Sequence, residues 1–127
     1  MAGNLTDVAE SLALDWVNNV GSPARPPGLS VRLMTANGSD SSAGTEVTGG
    51  SYAAQSVTFS AASAGSTSNT ALIQFTSMPA CTVLGLEVWD TSGSPRRIWY
   101  GPLAASKTVN LGDTFEIAAG SLTLSMD

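Results

Sequence analysis

The sequence predicts a mainly β protein, an antiparallel sandwich of jelly-roll type preceded by one amphipathic N-terminal helix. Three observations predict it. From residue 29 onward, short runs alternate apolar and polar residues with the period of two that half-buried strands require. Gly, Pro, Asn, Asp and Ser separate these runs at short intervals, as in sandwiches and barrels. Before residue 21 the apolar spacing is three to four, the period of a helix. At 127 residues the chain can build one sizeable core but not two. The expected organisation is a helix over 1–21, a Pro-rich strap over 22–28 and a sandwich over 29–127.

In NLTDVAESLALDWVNNVG, Leu5, Val8, Leu12 and Trp16 form an apolar stripe that Ala9, Ala13, Val17 and Val20 widen. Asn4 is the expected N-cap, the acidic residues suit the positive end of the helix dipole, and Gly21 is the expected stop. The strap GSPARPPG cannot be helical, because Pro23, Pro26 and Pro27 lack donors and push their predecessors to extended geometry. Strand alternation then begins with Leu29, Val31 and Leu33. After the polar loop TANGSDSSAGTE it resumes from Tyr52 through Val57 to Phe59. The patch SAASAGSTSN reads as a mobile loop. Further strands are expected in TALIQFTSM, TVLGLEVWD and RRIWYGPL, the last two joined by the turn TSGSP. Three separate short runs, 107–109, 114–118 and 122–126, close a set of seven or eight strands. The expected core is Leu33, Phe59, Phe75, Leu86, Ile98 and Phe115.

Composition excludes several functions. The formal net charge is −5, and only Arg25, Arg32, Arg96, Arg97 and Lys107 are basic, which argues against a nucleic-acid backbone as partner. Without histidine there is no Ser-His-Asp or Cys-His nucleophile, and one cysteine cannot assemble a zinc site. Cys81 reads as a small buried hydrophobe. Asn37, Asp40 and Glu46 could offer oxygen ligands, but the acidic spacing of a calcium loop is missing. No enzyme activity, cofactor or metal is expected. Neither an 18-residue apolar window nor a basic-then-apolar start is found, so a soluble protein without membrane contact is expected.

Gly49 and Gly50 stand in GTEVTGGSYAAQSVTF, where they invite a phosphate-loop reading. They precede a strand, and no lysine follows them, so a structural turn at positive φ is expected instead. Contact with other proteins is expected at two places. One is PRRIWYGPL, which concentrates Arg96, Arg97, Trp99 and Tyr100, residue types enriched at interface hot spots. Simple alternation puts Ile98 with Tyr100 on one face and Arg97 with Trp99 on the other, with the arginines exposed. The other is the helix and strap, through Leu12, Trp16, Val17, Arg25 and Pro26.

The segments LDWVNNVGSPARPPGLSVRLMTANGSD, GTEVTGGSYAAQSVTF and LEVWDTSGSPRRIWYGPLAASKTVNLGDTFEIAAGSLTLSM span nearly the whole chain. Through them the chain resembles a family of small virion proteins of tailed bacteriophages, common in phages of actinobacteria, described as head decoration, minor tail or tail-fibre-like proteins. A basic residue often follows the Tyr-Ala pair there, where this chain has Ala54. The resemblance implies a non-enzymatic virion protein made in the host cytoplasm. The expected role is capsid decoration, with the major capsid protein (or tail proteins) as partner and a homo-oligomer as the assembled form. The alternatives are a tail-tip or tail-fibre component, or a carbohydrate-binding module in which Trp89, Trp99 and Tyr100 stack on sugar rings.

Overall fold

The computed structural model describes residues 2–126, so Met1 and Asp127, the outer bounds of the expected first and last segments, lie outside it. Among the described residues the chain runs β1 (Ala2–Leu5), α1 (Asp7–Val17), β2 (Leu29–Ala36), β3 (Thr45–Glu46), β4 (Gln55–Val57), β5 (Ser66–Ser68), β6 (Ile73–Phe75), β7 (Cys81–Asp90), β8 (Arg97–Val109), β9 (Phe115–Ile117) and β10 (Thr123–Ser125). It is mainly β, with one helix near the N-terminus. Eight strands form one sheet in the order β3-β2-β7-β8-β1-β10-β5, with β4 also paired to β2, and β6-β9 forms a second sheet.

Alternation builds the centre of the large sheet. The β2–β7 register sets Val31 opposite Val88 and Leu33 opposite Leu86, so all four side chains fall on one face. In β6–β9, Ile73 pairs Ile117 and Phe75 pairs Phe115, while Gln74 and Glu116 point the other way. These two apolar faces, with Met78, Val83, Val109, Leu122 and Leu124, make one buried cluster. Tyr52 stacks on Phe75 at 5.9 Å, and Phe75 meets Phe115 edge-on at 6.2 Å. Each fully buried Leu or Phe here contributes about 1.5–3 kcal/mol. Of the expected core residues, Leu33, Phe75, Leu86 and Phe115 are in this cluster and Phe59 is half-buried against it. Ile98 is buried elsewhere, beneath the helix.

The N-terminus departs from expectation. Leu5 is in a strand, not a helix: Asn4 and Leu5 pair antiparallel with Tyr100 and Trp99, and Ala2 and Gly3 pair parallel with Thr123 and Leu124. The N-cap is therefore Thr6 instead of Asn4. Its extended backbone (φ −82°, ψ 162°) lets Oγ1 accept the Ala9 amide at 3.2 Å. Both residues are good caps, and sheet pairing decides between them. The helix ends at Val17, before Gly21, with Asn19 at φ 59° reversing the chain.

Other strand expectations change as well: the expected loop TANGSDSSAGTE contains β3, and the strand expected from Tyr52 to Phe59 shortens to β4. The Ser-rich patch contains β5, which pairs with β10, while the Ser60 amide donates to the Ser68 carbonyl at 2.9 Å. Residues 107–109 belong to β8 rather than to a separate run. A bulge separates the two parts, because Val83 pairs with Lys107 while Gly85 pairs with Pro102.

Gly49 and Gly50 lie at φ 104° and 56° in the turn before Tyr52, and a Cβ on Gly50 would sit 2.9 Å from the Ser77 carbonyl oxygen. A Gly50→Val variant is expected to lose about 1–2 kcal/mol or more in urea denaturation, because a β-branched residue is strained at positive φ. Gly93→Ala, where an added Cβ meets nothing within 4 Å, should stay within about 0.5 kcal/mol of the parent. Equal losses at both positions would refute the turn-strain account.

Candidate functional site

One extra residue in β8 controls the aromatic-basic strand. Val88 pairs with Trp99 but Trp89 pairs with Arg97, so Ile98 is bulged out of the ladder. The bulge reverses the face expected from alternation. Trp99 turns inward to pack against the core, while Arg97 and Tyr100 share the outer face with Glu87. There Arg97 is only 8% exposed and Glu87 1%. The Arg97 guanidinium donates to Glu87 Oε2 at 3.3 Å and to the carbonyls of Ser39 and Asp40 at 2.5 and 3.2 Å, and it covers the Tyr100 ring at 5.3 Å. Glu87 is satisfied by two more donors, the Gly44 amide at 2.8 Å and Trp89 Nε1 at 3.1 Å.

Loop 37–44 thus lies across the outer face of the sheet. Asn37 approaches the backbone so closely that a Cβ at Gly85 would collide with its Oδ1 and with the Gly101 carbonyl. Asp40 accepts from the Tyr100 hydroxyl, which raises that phenol's pKa with some help from burial, and the Asp40 carbonyl accepts the Asp7 amide at 3.2 Å. Glu46 accepts from the Tyr52 hydroxyl and lies 3.8 Å from Arg32, so two of the candidate oxygen ligands are engaged within the protein. Burial drives the Tyr52 pKa well above its ordinary value, with the Glu46 contact adding to the rise and the Leu33 amide opposing it. Among the described residues, no group of three or more His, Cys, Asp or Glu could hold a metal. No helix there is long and apolar enough to cross a membrane.

Arg96 ties the strap down. Its Nε lies 2.6 Å from Asp90 Oδ2, and its Nη2 donates to the Ala24 carbonyl at 3.1 Å. Asp90 has a fully buried side chain. Burial would raise its pKa, but hydrogen bonds from the Arg96 amide and side chain and from Ser92 outweigh it and hold the carboxyl at about 2. The exposed arginines expected from the sequence are therefore corrected: both hold the fold, Arg97 from inside. The ring faces expected to stack on sugars are also engaged, since Arg32 covers Trp89 at 4.3 Å and Arg97 covers Tyr100.

The helix presents the opposite case. It rests on β8 through its small side: Ala9 is buried and Leu12 and Ala13 are half-buried. The bulky part of the stripe is left in solvent, with Val8 51%, Trp16 74% and Val17 69% exposed. A groove of about 600 Å³ runs along one side, lined by Leu12, Trp16, Pro26, Arg25, Ile98 and Trp99. Along the other side a groove of about 680 Å³ is lined by Glu10, Leu14, Val17, Asp40 and Tyr100. The structure thus gathers seven of the candidate contact residues, Leu12, Trp16, Val17, Arg25, Pro26, Trp99 and Tyr100, around one ridge and excludes Arg96 and Arg97 from it. Asp40 and Glu10 join them. From the sequence Asp40 was read only as a possible oxygen ligand in a polar loop.

Residues 4–125 match the family described as the podophage GP4 fiber I protein gp80. The chain belongs to that family. It is accordingly a bacteriophage virion structural protein of a fibre family, and the matched span takes in the helix, the strap and both sheets. No curated protein matches the chain.

Two outcomes follow for this fibre-family fold. Arg97→Ala, which strands Glu87 as a buried unpaired charge, should cost about 3–5 kcal/mol in chemical denaturation. Arg25→Ala, at an exposed position, should stay within about 0.5 kcal/mol. Because the Asp90 pKa is depressed on folding, its stabilisation is complete above the unfolded value of ~3.9 and is lost as pH falls through about 2. Thermal melts should show a drop between pH 4 and 2 that Asp90→Asn flattens. An unchanged slope in that variant would refute the assignment.

Proposed function

We propose that this protein is a non-enzymatic component of the tail fibre, attached to other virion proteins through the ridge formed by α1, the strap and the outer end of β8. The observation that carries the reading is the match of nearly the whole chain to a podophage fibre family. Head decoration, favoured by the sequence, yields to the tail-fibre alternative on this ground. The absence of histidine from the sequence and the engagement of Glu46, Glu87 and Asp90 in internal ion pairs support a structural role. The exposed apolar ridge supports attachment, since contiguous apolar patches on a protein surface mark interaction sites.

Copy number and position on the particle test this. Quantitative mass spectrometry of purified virions should find few copies per particle, and gold-labelled antibody should decorate the fibres. Hundreds of copies with label spread over the head would restore the decoration reading and refute this one.

A further inference from the structure

The ridge carries a charge pattern as well as an apolar one. Asp7, Glu10, Asp15 and Asp40 are exposed on or beside α1, and among the described residues none is in an ion pair. Asp7 and Glu10 suit the first turn of the helix, where the dipole is positive. Asp15 does not. It stands in the last turn, which holds no basic residue, beside Trp16 and Val17. That end therefore combines the negative end of the dipole, an uncompensated carboxylate and three large exposed apolar side chains, Leu14, Trp16 and Val17. Each is unfavourable in the free protein, and a single contact that is apolar and positively charged would relieve them all.

Among the described residues a second copy of the ridge is poorly suited to supply that contact. Arg32, Arg96 and Arg97 are bound to Glu46, Asp90 and Glu87. Lys107 stands over the Phe115 ring at 5.8 Å and lines neither groove of the ridge. Only Arg25 lies at the ridge itself. Two ridges face to face would oppose four acids on each side with one arginine each, and like-charge juxtaposition across an interface costs several kcal/mol.

We infer that the α1 ridge receives a partner protein other than this chain, one whose contact surface is apolar with lysine or arginine at its rim. That the partner belongs to the virion rests on the fibre reading. Its apolar and basic character does not.

The test uses the full chain and two synthetic helical peptides, one with leucine and lysine faces and the other with glutamate in place of lysine. The leucine-lysine peptide should bind by titration calorimetry and shift tryptophan emission to the blue as Trp16 is covered. The leucine-glutamate peptide should not bind. Trp16→Ser and Asp15→Lys change exposed side chains, so their unaltered folding can be verified by circular dichroism, and each should weaken binding at least tenfold. Raised salt should weaken it as well. Three results would overturn the inference: no binding of the leucine-lysine peptide, equal binding by the two variants and the parent, or self-association in sedimentation velocity that Trp16→Ser abolishes. A fibre location on the particle without peptide binding would overturn this inference alone, whereas peptide binding by a protein found over the head would overturn only the fibre reading.

Discussion

A carboxylate buried in the middle of a sheet sets most of what surrounds it. Glu87 is 1% exposed in the central strand β7, and an unpaired charge there would cost several kcal/mol. Its needs are met by Arg97, Trp89 and the Gly44 amide, and each donor imposes a geometry. Arg97 can reach Glu87 only because Ile98 is bulged, which places residues 97 and 100 on the same outer face. Gly44 can reach it only if loop 37–44 lies over that face, which in turn requires the bare backbone of Gly85 beneath Asn37. Removing any one donor therefore disturbs the placement of a whole segment, not one hydrogen bond.

The same constraint positions the helix. The Thr6 side chain donates to the Arg97 carbonyl at 2.6 Å, and the Thr6 amide donates to the Ile98 carbonyl at 3.0 Å, both at the bulge. Asp40, held by Arg97 and Tyr100, accepts the first amide of α1 from the other side. The N-terminus of the helix is thus fixed by long-range bonds, while only Ala9, Leu12 and Ala13 lie close to the sheet. This explains how a helix can keep its place with Trp16 largely in solvent.

What was legible in the sequence follows the range of the determining interaction. Val31, Leu33, Leu86 and Val88 obey local alternation, and their strands, faces and burial were readable from it. The Gly49-Gly50 pair likewise carries its own conformational signature, and both residues have positive φ. Arg97 and Trp99 were assigned to the same face because the one inserted residue that reverses alternation leaves no trace in composition. Leu5 continued the helical stripe perfectly well, yet β1 forms because β8 and β10 offer it ladders on both sides, a fact visible only in three dimensions. The aromatic and apolar residues of the ridge were found by type. The acids that give it a sign were not: Asp15 adjoins Trp16 in the chain, but Glu10 and Asp40 meet Tyr100 only through the fold.

Rigidity connects this architecture to attachment. An interface built from exposed hydrophobic side chains on a loosely held helix would lose much of its binding free energy to ordering that helix, at about 0.5–1.5 kcal/mol per immobilised side chain and more for the backbone. Here the cost is met during folding. One end of the ridge is anchored by Asp40 and Thr6, and the strap beyond its other end is anchored by Arg96 between Asp90 and Ala24. The grooves on either side of α1 are therefore set before any partner arrives. Two arginines that a sequence reading assigns to a contact surface instead hold the backbone that presents Trp16 and Val17 to solvent. For the attachment proposed above, a preorganised ridge directs the burial of those side chains into holding the partner rather than ordering the protein.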